Sequence, residues 1–249
     1  VWFFAPVAAV ISFLFVTWIH WGLGDVYSLV AIGDGYPAGR IPRALTAATR
    51  GSLPMVVPFV AFPEQYELVV RTLVELFDAD SAGVISSAFS PSVRFAVAVG
   101  LACLILVTLA VVVRSGDSAG HRWWLLDAGE VILLVAFFST VPPLFAVGLY
   151  FCVWHSLRHV VRLLAVDPAA SSALRDRRYA AAFASFARDA APLTAISLAV
   201  LGLWYRLVPG TVDDPLTLVG AYLALIAVFT LPHVAVVSSM DRVQGLWGV

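Results

Sequence analysis

Stretches of roughly 20 apolar residues recur along this chain, and short segments that carry most of its charges separate them. A helix of that length spans the hydrocarbon core of a bilayer. Only 12% of the residues are charged, whereas an ordinary soluble domain carries about 25%. The hydrophobic fraction of 61% and the mean hydropathy of +0.93 agree with this. The sequence therefore predicts an all-α fold, a polytopic transmembrane helical bundle.

We expect about seven spans in a single integral-membrane domain over residues 1–249, because the chain contains no internal repeat and no separate soluble segment. The second span is the weakest, since Pro54, Pro58 and Pro63 interrupt it. After it, Glu64–Phe77 has the spacing of an amphipathic helix at the membrane interface. We expect Asp167–Asp189 to be a polar connection. The predicted spans are Trp2–Leu23, Arg43–Phe62, Arg94–Val113, Trp123–Thr140, Leu144–Leu164, Ala190–Val208 and Leu216–Ser238.

The arginines predict how the bundle is oriented. If consecutive helices alternate in direction, the segments richest in arginine all lie on one side, which should be the cytoplasm. This assignment places the N-terminus outside a multi-pass protein of the cell (plasma) membrane. The arginines that determine it are Arg40, Arg43, Arg50, Arg114, Arg122, Arg175, Arg177, Arg178, Arg188 and Arg242.

Charge and cysteine content exclude two other classes of protein. The net charge is −1 and no basic patch is present, so nucleic acid is not an expected partner. Cys103 and Cys152 both lie in apolar runs, which does not indicate a disulfide framework.

The segment Tyr150-Phe-Cys-Val-Trp-His155-Ser-Leu-Arg-His159 places two imidazoles at i, i+4 within a predicted span. This spacing puts both rings on one helix face, with Cβ atoms about 5–6 Å apart, so one metal ion can bridge them. Ionisable side chains at membrane depth are costly and usually functional. Three more polar groups are predicted at a similar depth near the cytoplasmic side: His20, Glu130 and His233.

The histidines leave the chemistry open between two kinds of centre. Neutral imidazoles suit iron, zinc, copper or nickel. His121 lies in a loop and should be solvated or interfacial, so four histidines remain. Four histidines allow one metal ion, or a haem held by two of them. A serine hydrolase centred on Ser156 is disfavoured, because neighbouring helix positions point in different directions.

Three motifs resemble signatures of the Brp/Blh (bacteriorhodopsin-related protein) family of membrane β-carotene 15,15′-dioxygenases. They are His20-Trp-Gly-Leu-Gly-Asp25, the Tyr150 to His159 segment preceded by Pro142-Pro143, and Leu231-Pro-His233, with Glu130 upstream of the prolines. The resemblance implies that O2 cleaves the central double bond of β-carotene to give two molecules of all-trans-retinal. It also implies that His20, His155 and His159 are the catalytic residues that hold a non-haem Fe(II).

The resemblance suggests supporting roles for other residues. His233 would act as a substitute ligand or orient a ligand or the substrate. Asp25 and Glu130 would accept hydrogen bonds from ligand imidazoles and fix their orientation. Three aromatic residues are candidates for lining a polyene tunnel, although ordinary packing or interface anchoring would also explain them: Trp21, Tyr150 and Trp154.

One family motif has no counterpart in this chain. Family members carry an earlier Pro-His-Gly-x-x-Asp motif whose histidine completes the ligand set, and the sequence contains no such motif. Val1 is followed at once by an apolar run without the features of a secretory signal. Either a non-standard start codon is read here as Val, or a helix bearing the missing histidine precedes this sequence; in the first case the iron would lack a ligand.

The expected partners are β-carotene, O2 and the lipid bilayer, with a functional link to a retinal-binding rhodopsin. Two alternative functions remain open. One is a membrane haem protein in which His20 or His233 faces His155 across the bundle. The other is a non-catalytic carotenoid- or retinal-binding membrane protein. A retinylidene rhodopsin is excluded because the chain has no lysine to form the Schiff base.

Overall fold

The computed structural model describes residues 2–33, 35–78, 82–115, 118–207 and 215–243, and every regular element in these ranges is a helix. The prediction of an all-α fold is therefore confirmed, while Val1 lies outside the described residues. The helices are α1 (Pro6–Ile32), α2 (Arg40–Ala61), α3 (Pro63–Glu75), α4 (Ala82–Ala88), α5 (Pro91–Ser115), α6 (Ser118–Thr140), α7 (Pro143–Leu149), a π-helical segment (Tyr150–His155), α8 (Ser156–Val166), α9 (Pro168–Arg175), α10 (Tyr179–Leu207) and α11 (Pro215–Val243).

Seven helical stretches within the described ranges are long and apolar enough to cross a membrane, which confirms the predicted number. The weakest predicted span is among them, because α2 continues as a helix through Pro54 and Pro58. The stretches are Pro6–Ala31, Arg40–Ala61, Pro91–Arg114, His121–Thr140, Pro143–Ala165, Tyr179–Arg206 and Pro215–Met240.

The first helix is longer than the sequence indicates. The predicted span ends at Leu23, within the His20 motif, yet α1 continues to Ile32. Gly22 explains part of this difference. A Cβ atom added there would collide with the backbone carbonyl of Ala47 in α2, so the missing side chain permits close helix packing.

The segment Asp167–Asp189 is also more helical than predicted. Asp167 caps α9, since its side chain accepts a hydrogen bond from the Ala169 backbone N–H at 2.9 Å. A short turn follows, and α10 begins at Tyr179. Alanines are frequent from this point, and alanine has the highest helix propensity. Residues 179–189, which were predicted to be part of the polar connection, therefore form the first turns of the long helix α10.

Helix α2 lies at the centre of the bundle and contacts α1, α3, α5, α6 and α7. Its contact with α1 is especially close. Gly51 of α2 lies against the backbone of Trp18, and the Trp18 Nε1–H donates to the Ala48 carbonyl at 2.7 Å. In the main apolar core, Leu53 and Val57 of α2 pack with Trp21 of α1 and with residues of α6, α7 and the π-helical segment.

The loop between α1 and α2 is held by two polar side chains. The Tyr36 hydroxyl donates to Asp127 of α6 at 3.0 Å, and burial together with that carboxylate raises the pKa of Tyr36 above its ordinary value. Tyr36 therefore remains a protonated donor. Arg43 donates to the carbonyls of Pro37 at 2.9 Å and Gly35 at 3.2 Å. These bonds fix the start of α2 relative to α6.

The α1–α2 contact predicts different effects for two glycine substitutions. Gly51→Ala places a methyl group against the Trp18 backbone, so we expect a loss of about 1–3 kcal/mol and a lower midpoint of thermal unfolding in detergent. Gly100→Ala is the control, because no atom lies within 4 Å of the added Cβ. Equal midpoints for the two variants would contradict this account of the contact.

Candidate metal centre

Three imidazoles from separate parts of the chain meet inside the bundle. His20 lies in the middle of α1, His155 ends the π-helical segment, and His159 lies in the first turn of α8. Each ring offers one nitrogen, and these three nitrogens lie within 4.8 Å of one another. The ring centroids are 5.1 Å apart for His20 and His155, 4.5 Å for His155 and His159, and 5.5 Å for His20 and His159. One metal ion can be reached by all three.

The π-helical segment determines which side chains around His155 and His159 face the core. A π-helix closes its hydrogen bonds from i to i+5, so residues five apart share a face. Tyr150 and His155 have this spacing, and both are buried, with 2% and 3% of their surface exposed. His159 follows four residues later, at ordinary α-helical spacing. The three residues between Tyr150 and Trp154 are exposed. Short π-helical turns of this kind are frequent at functional sites.

Two of the three imidazoles have a buried nitrogen without a hydrogen-bond partner. Within the described residues, the Nε2 atoms of His20 and His159 are both in this state. Leaving a buried polar atom unpaired costs about 1–3 kcal/mol, so such atoms usually have a function that explains them. Binding of a metal ion would satisfy both nitrogens, since the neutral imidazole is a common metal ligand. The residues present therefore fit a metal centre.

Gly24 keeps the space beside the imidazoles open. It lies four residues after His20 and so faces the same side of α1. A Cβ atom added there would lie 3.2 Å from His159 Nε2 and 3.5 Å from His155 Cε1. A larger residue at this position would occupy room beside the nitrogens that a metal or its substrate needs.

The other two histidines have different surroundings. The ring of His233 in α11 lies edge-on to His20, with centroids 5.1 Å apart, but the side chain is exposed. It does not belong to the group whose ligand atoms lie within 4.8 Å. His121 is exposed and stacks on Trp124 at 5.7 Å, away from the other histidines. The structure thus brings His233 beside the cluster and leaves His121 outside it.

One of the predicted aromatic residues, Trp21, contacts the cluster, and the other two pack near it. Trp21 packs against Tyr150 at 5.1 Å and against His155 at 5.6 Å between ring centroids. Trp154 is half-buried, and its ring lies 4.3 Å beneath the guanidinium carbon of Arg158. Trp21 and Tyr150 are core residues, which agrees with ordinary packing. Their role in lining a polyene tunnel stays a prediction.

The two carboxylates of the sequence motifs contact arginines. Asp25 accepts a hydrogen bond from Trp154 Nε1 at 3.3 Å and pairs with Arg158 at 3.1 Å. Glu130 pairs with Arg158 at 3.0 Å and with Arg50 at 2.8 Å. The predicted role of these carboxylates as acceptors from ligand imidazoles stays a prediction. The contacts present here point instead to an action through Arg158.

Arg50 and Asp127 form a contact that the sequence motifs do not include. Arg50 is one of the arginines that predict the orientation of the bundle, yet it has no exposed surface and lies within the helix packing. Its Nε donates to Asp127 at 3.1 Å, and its Nη2 donates to the same carboxylate. The sequence does place Arg50 within a predicted span. A charge at that depth has a high energetic cost unless it is paired, so a partner could have been expected.

The space at Gly24 predicts how a larger side chain would change metal binding. Gly24→Val should crowd His159 and weaken the binding of Co(II) by about tenfold, the lower end of effects seen for residues around metal ligands. Gly148→Val is the matched control, since an added Cβ at Gly148 meets no atom within 4 Å. Titration of the purified protein with Co(II), followed by absorption, measures both. Similar affinities for the two variants would contradict the assignment of this space to the centre.

Comparison with known proteins identifies the family to which this architecture belongs. A profile of the family described as Beta-carotene 15,15′-dioxygenase matches residues 1–241. The probable β-carotene 15,15′-dioxygenase Blh of Halobacterium salinarum strain NRC-1 is 46% identical over 251 residues, which cover 98% of this chain and 70% of that protein. The probable β-carotene 15,15′-dioxygenase Brp of strain R1 is 30% identical over 268 residues, which cover 99% of this chain and 72% of Brp. No solved structure matches significantly. On the extent of these matches, the chain belongs to the β-carotene 15,15′-dioxygenase family.

Proposed function

We propose that this chain, as one integral-membrane unit over residues 1–249, cleaves the central 15,15′ double bond of β-carotene with O2 to give two molecules of all-trans-retinal. Membership of the family supports the reaction. The observation that carries the site assignment is the convergence of three imidazoles, two of which have a buried and unpaired Nε2. In this proposal His20, His155 and His159 hold a non-haem Fe(II).

The iron, when bound, would supply the activation of O2. The chain's own residues determine the environment in which that happens. The ring of His155 lies between Trp21 at 5.6 Å and Phe151 at 6.0 Å, which restricts its rotation. His20 and His155 are almost fully buried, so little water reaches their nitrogens. Gly24 keeps any side chain of its own away from His155 and His159.

The bilayer location suits the substrate. β-Carotene has no polar group and partitions into hydrocarbon, so it would approach the centre laterally through the bundle. In this proposal Trp21, Tyr150 and Trp154, whose rings pack against one another, would line the tunnel for the polyene. His233 lies on the more open side of His20 and would orient the substrate or a ligand ring.

The arrangement of the rings favours a mononuclear centre over a bis-histidine haem. A haem would place its porphyrin plane between two imidazoles. Here the rings of His20, His155 and His159 already contact one another. A non-catalytic carotenoid-binding protein is the other alternative. It differs from the proposal in that it would release no retinal, because only cleavage forms retinal.

The proposal extends to the cellular setting. The seven apolar helices make this a multi-pass membrane protein. Positive charges concentrate on cytoplasmic segments of such proteins. We therefore place the protein in the cell (plasma) membrane, with the metal centre toward the cytoplasmic side. Retinal released there would supply a retinal-binding rhodopsin, the partner that we propose for the product.

Substitution of single histidines tests the assignment directly. His155→Ala and His159→Ala should each abolish iron binding and retinal formation, because each removes one of the three clustered nitrogens. His121→Ala should change neither, since this exposed side chain lies outside the cluster. The measurements are retinal by chromatography from cells that accumulate β-carotene, and the iron content of the purified proteins.

Each competing function predicts a different outcome of this experiment. Retinal formation that survives His155→Ala or His159→Ala would contradict the site. A Soret band in the purified parent protein would indicate haem. Bound pigment without any aldehyde product would indicate a carotenoid-binding relative without catalytic activity.

A further inference from the structure

Five charged side chains form a network beside the metal centre, three of them buried and two, Arg158 and Glu130, about one-fifth exposed. Arg50 of α2 contacts carboxylates from two other helices, at 3.6 Å for Asp25 of α1 and 2.8 Å for Glu130 of α6, and it also pairs with Asp127 of α6. Arg158 of α8 pairs with Asp25 at 3.1 Å and Glu130 at 3.0 Å. The network therefore connects the two helices that carry His20 and His159.

Arg158 is the member closest to the proposed ligands. It immediately precedes His159, and its Nη2 donates to both Glu130 oxygens at 3.0 Å and 3.1 Å. Its guanidinium stacks on Trp154, the residue that immediately precedes His155. Trp154 in turn donates to Asp25. The residues before both ligands are thus held by one carboxylate of α1.

These contacts restrict rotation of the ligand segment about its own axis. A helix turns as a body, so fixing Trp154 and Arg158 also fixes the directions of His155 and His159. The restriction matters here because the segment changes from π-helical to α-helical between these residues. Short π-helical turns depart from regular helix geometry, so packing has to select the rotation.

The restraint should also be strong. Removal of one partner from a buried ion pair leaves an uncompensated charge, and the surrounding hydrocarbon offers no water to solvate it. Arg158 has carboxylate partners on two different helices, since its Nη2 donates to both oxygens of Glu130 and its Nη1 lies 3.1 Å from Asp25 Oδ1. A lysine in its place keeps the charge but cannot reproduce this geometry.

We propose that Arg158, held by Asp25 and Glu130, is a positioning residue that fixes His155 and His159 at the metal-binding distance from His20. Arg158 acts through the helix and does not touch the metal. This inference rests on the proposed function, since it assumes that the three histidines hold the ion.

Co(II) binding by the purified full chain tests the proposal, because its absorption spectrum reports both affinity and ligand geometry. We expect Arg158→Gln to weaken Co(II) binding by about 10–100-fold, the range observed for residues that orient metal ligands. Arg158→Lys should give a smaller loss with an altered spectrum, since the charge remains and the fork does not. The control is Arg71→Gln, which removes a half-exposed ion pair to Glu67 on α3 and should leave Co(II) binding unchanged.

The folded fraction of each variant is isolated by size-exclusion chromatography before titration, so that a loss of stability alone does not lower the measured affinity. If Arg158→Gln yields no folded protein, Arg158→Lys decides the question. Affinity and spectrum equal to those of the parent in the folded Arg158 variants would overturn the positioning role. Failure of the parent itself to bind Co(II), or binding that persists in His155→Ala, would instead overturn the metal centre proposed above.

Discussion

Charged side chains within a bilayer have to neutralise one another, and the arrangement of the central helices depends on this constraint. Arg50 has no exposed surface and lies in α2, which contacts α1, α3, α5, α6 and α7. Carboxylates of α1 and α6 surround it, and the same carboxylates hold Arg158 of α8. Glycines at the α1–α2 contact allow the close approach that these ion pairs need. The histidine cluster lies directly beside this network, because Arg158 immediately precedes His159, so its geometry depends on the same contacts.

The number and type of spans could be predicted from the sequence, because apolar length alone determines which segments cross a membrane. The ends of the helices were less predictable. The first span was predicted to end at Leu23, but Gly22 and Gly24 both lie within α1 and permit contacts, one with α2 and one with the imidazoles. In α10 the polar residues before Ala190 suggested a connection, whereas its alanines continue the helix back to Tyr179. Composition therefore predicts whether a segment lies in the membrane better than it predicts the residues at which its helix begins and ends.

The histidines of the site were accessible from the sequence, since the spacing of His155 and His159 is local. Their meeting with His20 was expected only from a shared depth and from the family motifs, because one sequence does not show which helices are neighbours. The π-helical segment has no signal that we recognise in the sequence. The cost of an unpaired charge in lipid already implied that Arg158 would have partners. Which residues they are could be identified only from the packing of three helices.

X-ray absorption at the iron edge would test the central claim most directly, because it counts the imidazoles around the metal in the protein as purified. For the Fe(II)-loaded chain we predict a nearest shell of nitrogen and oxygen atoms, with the outer-shell scattering of imidazoles from both ligand helices. His20→Ala should lose part of that imidazole scattering while the contribution of α8 and the π-helical segment remains. A shell without imidazole scattering, or a spectrum that His20→Ala leaves unchanged, would contradict a centre built from these three histidines.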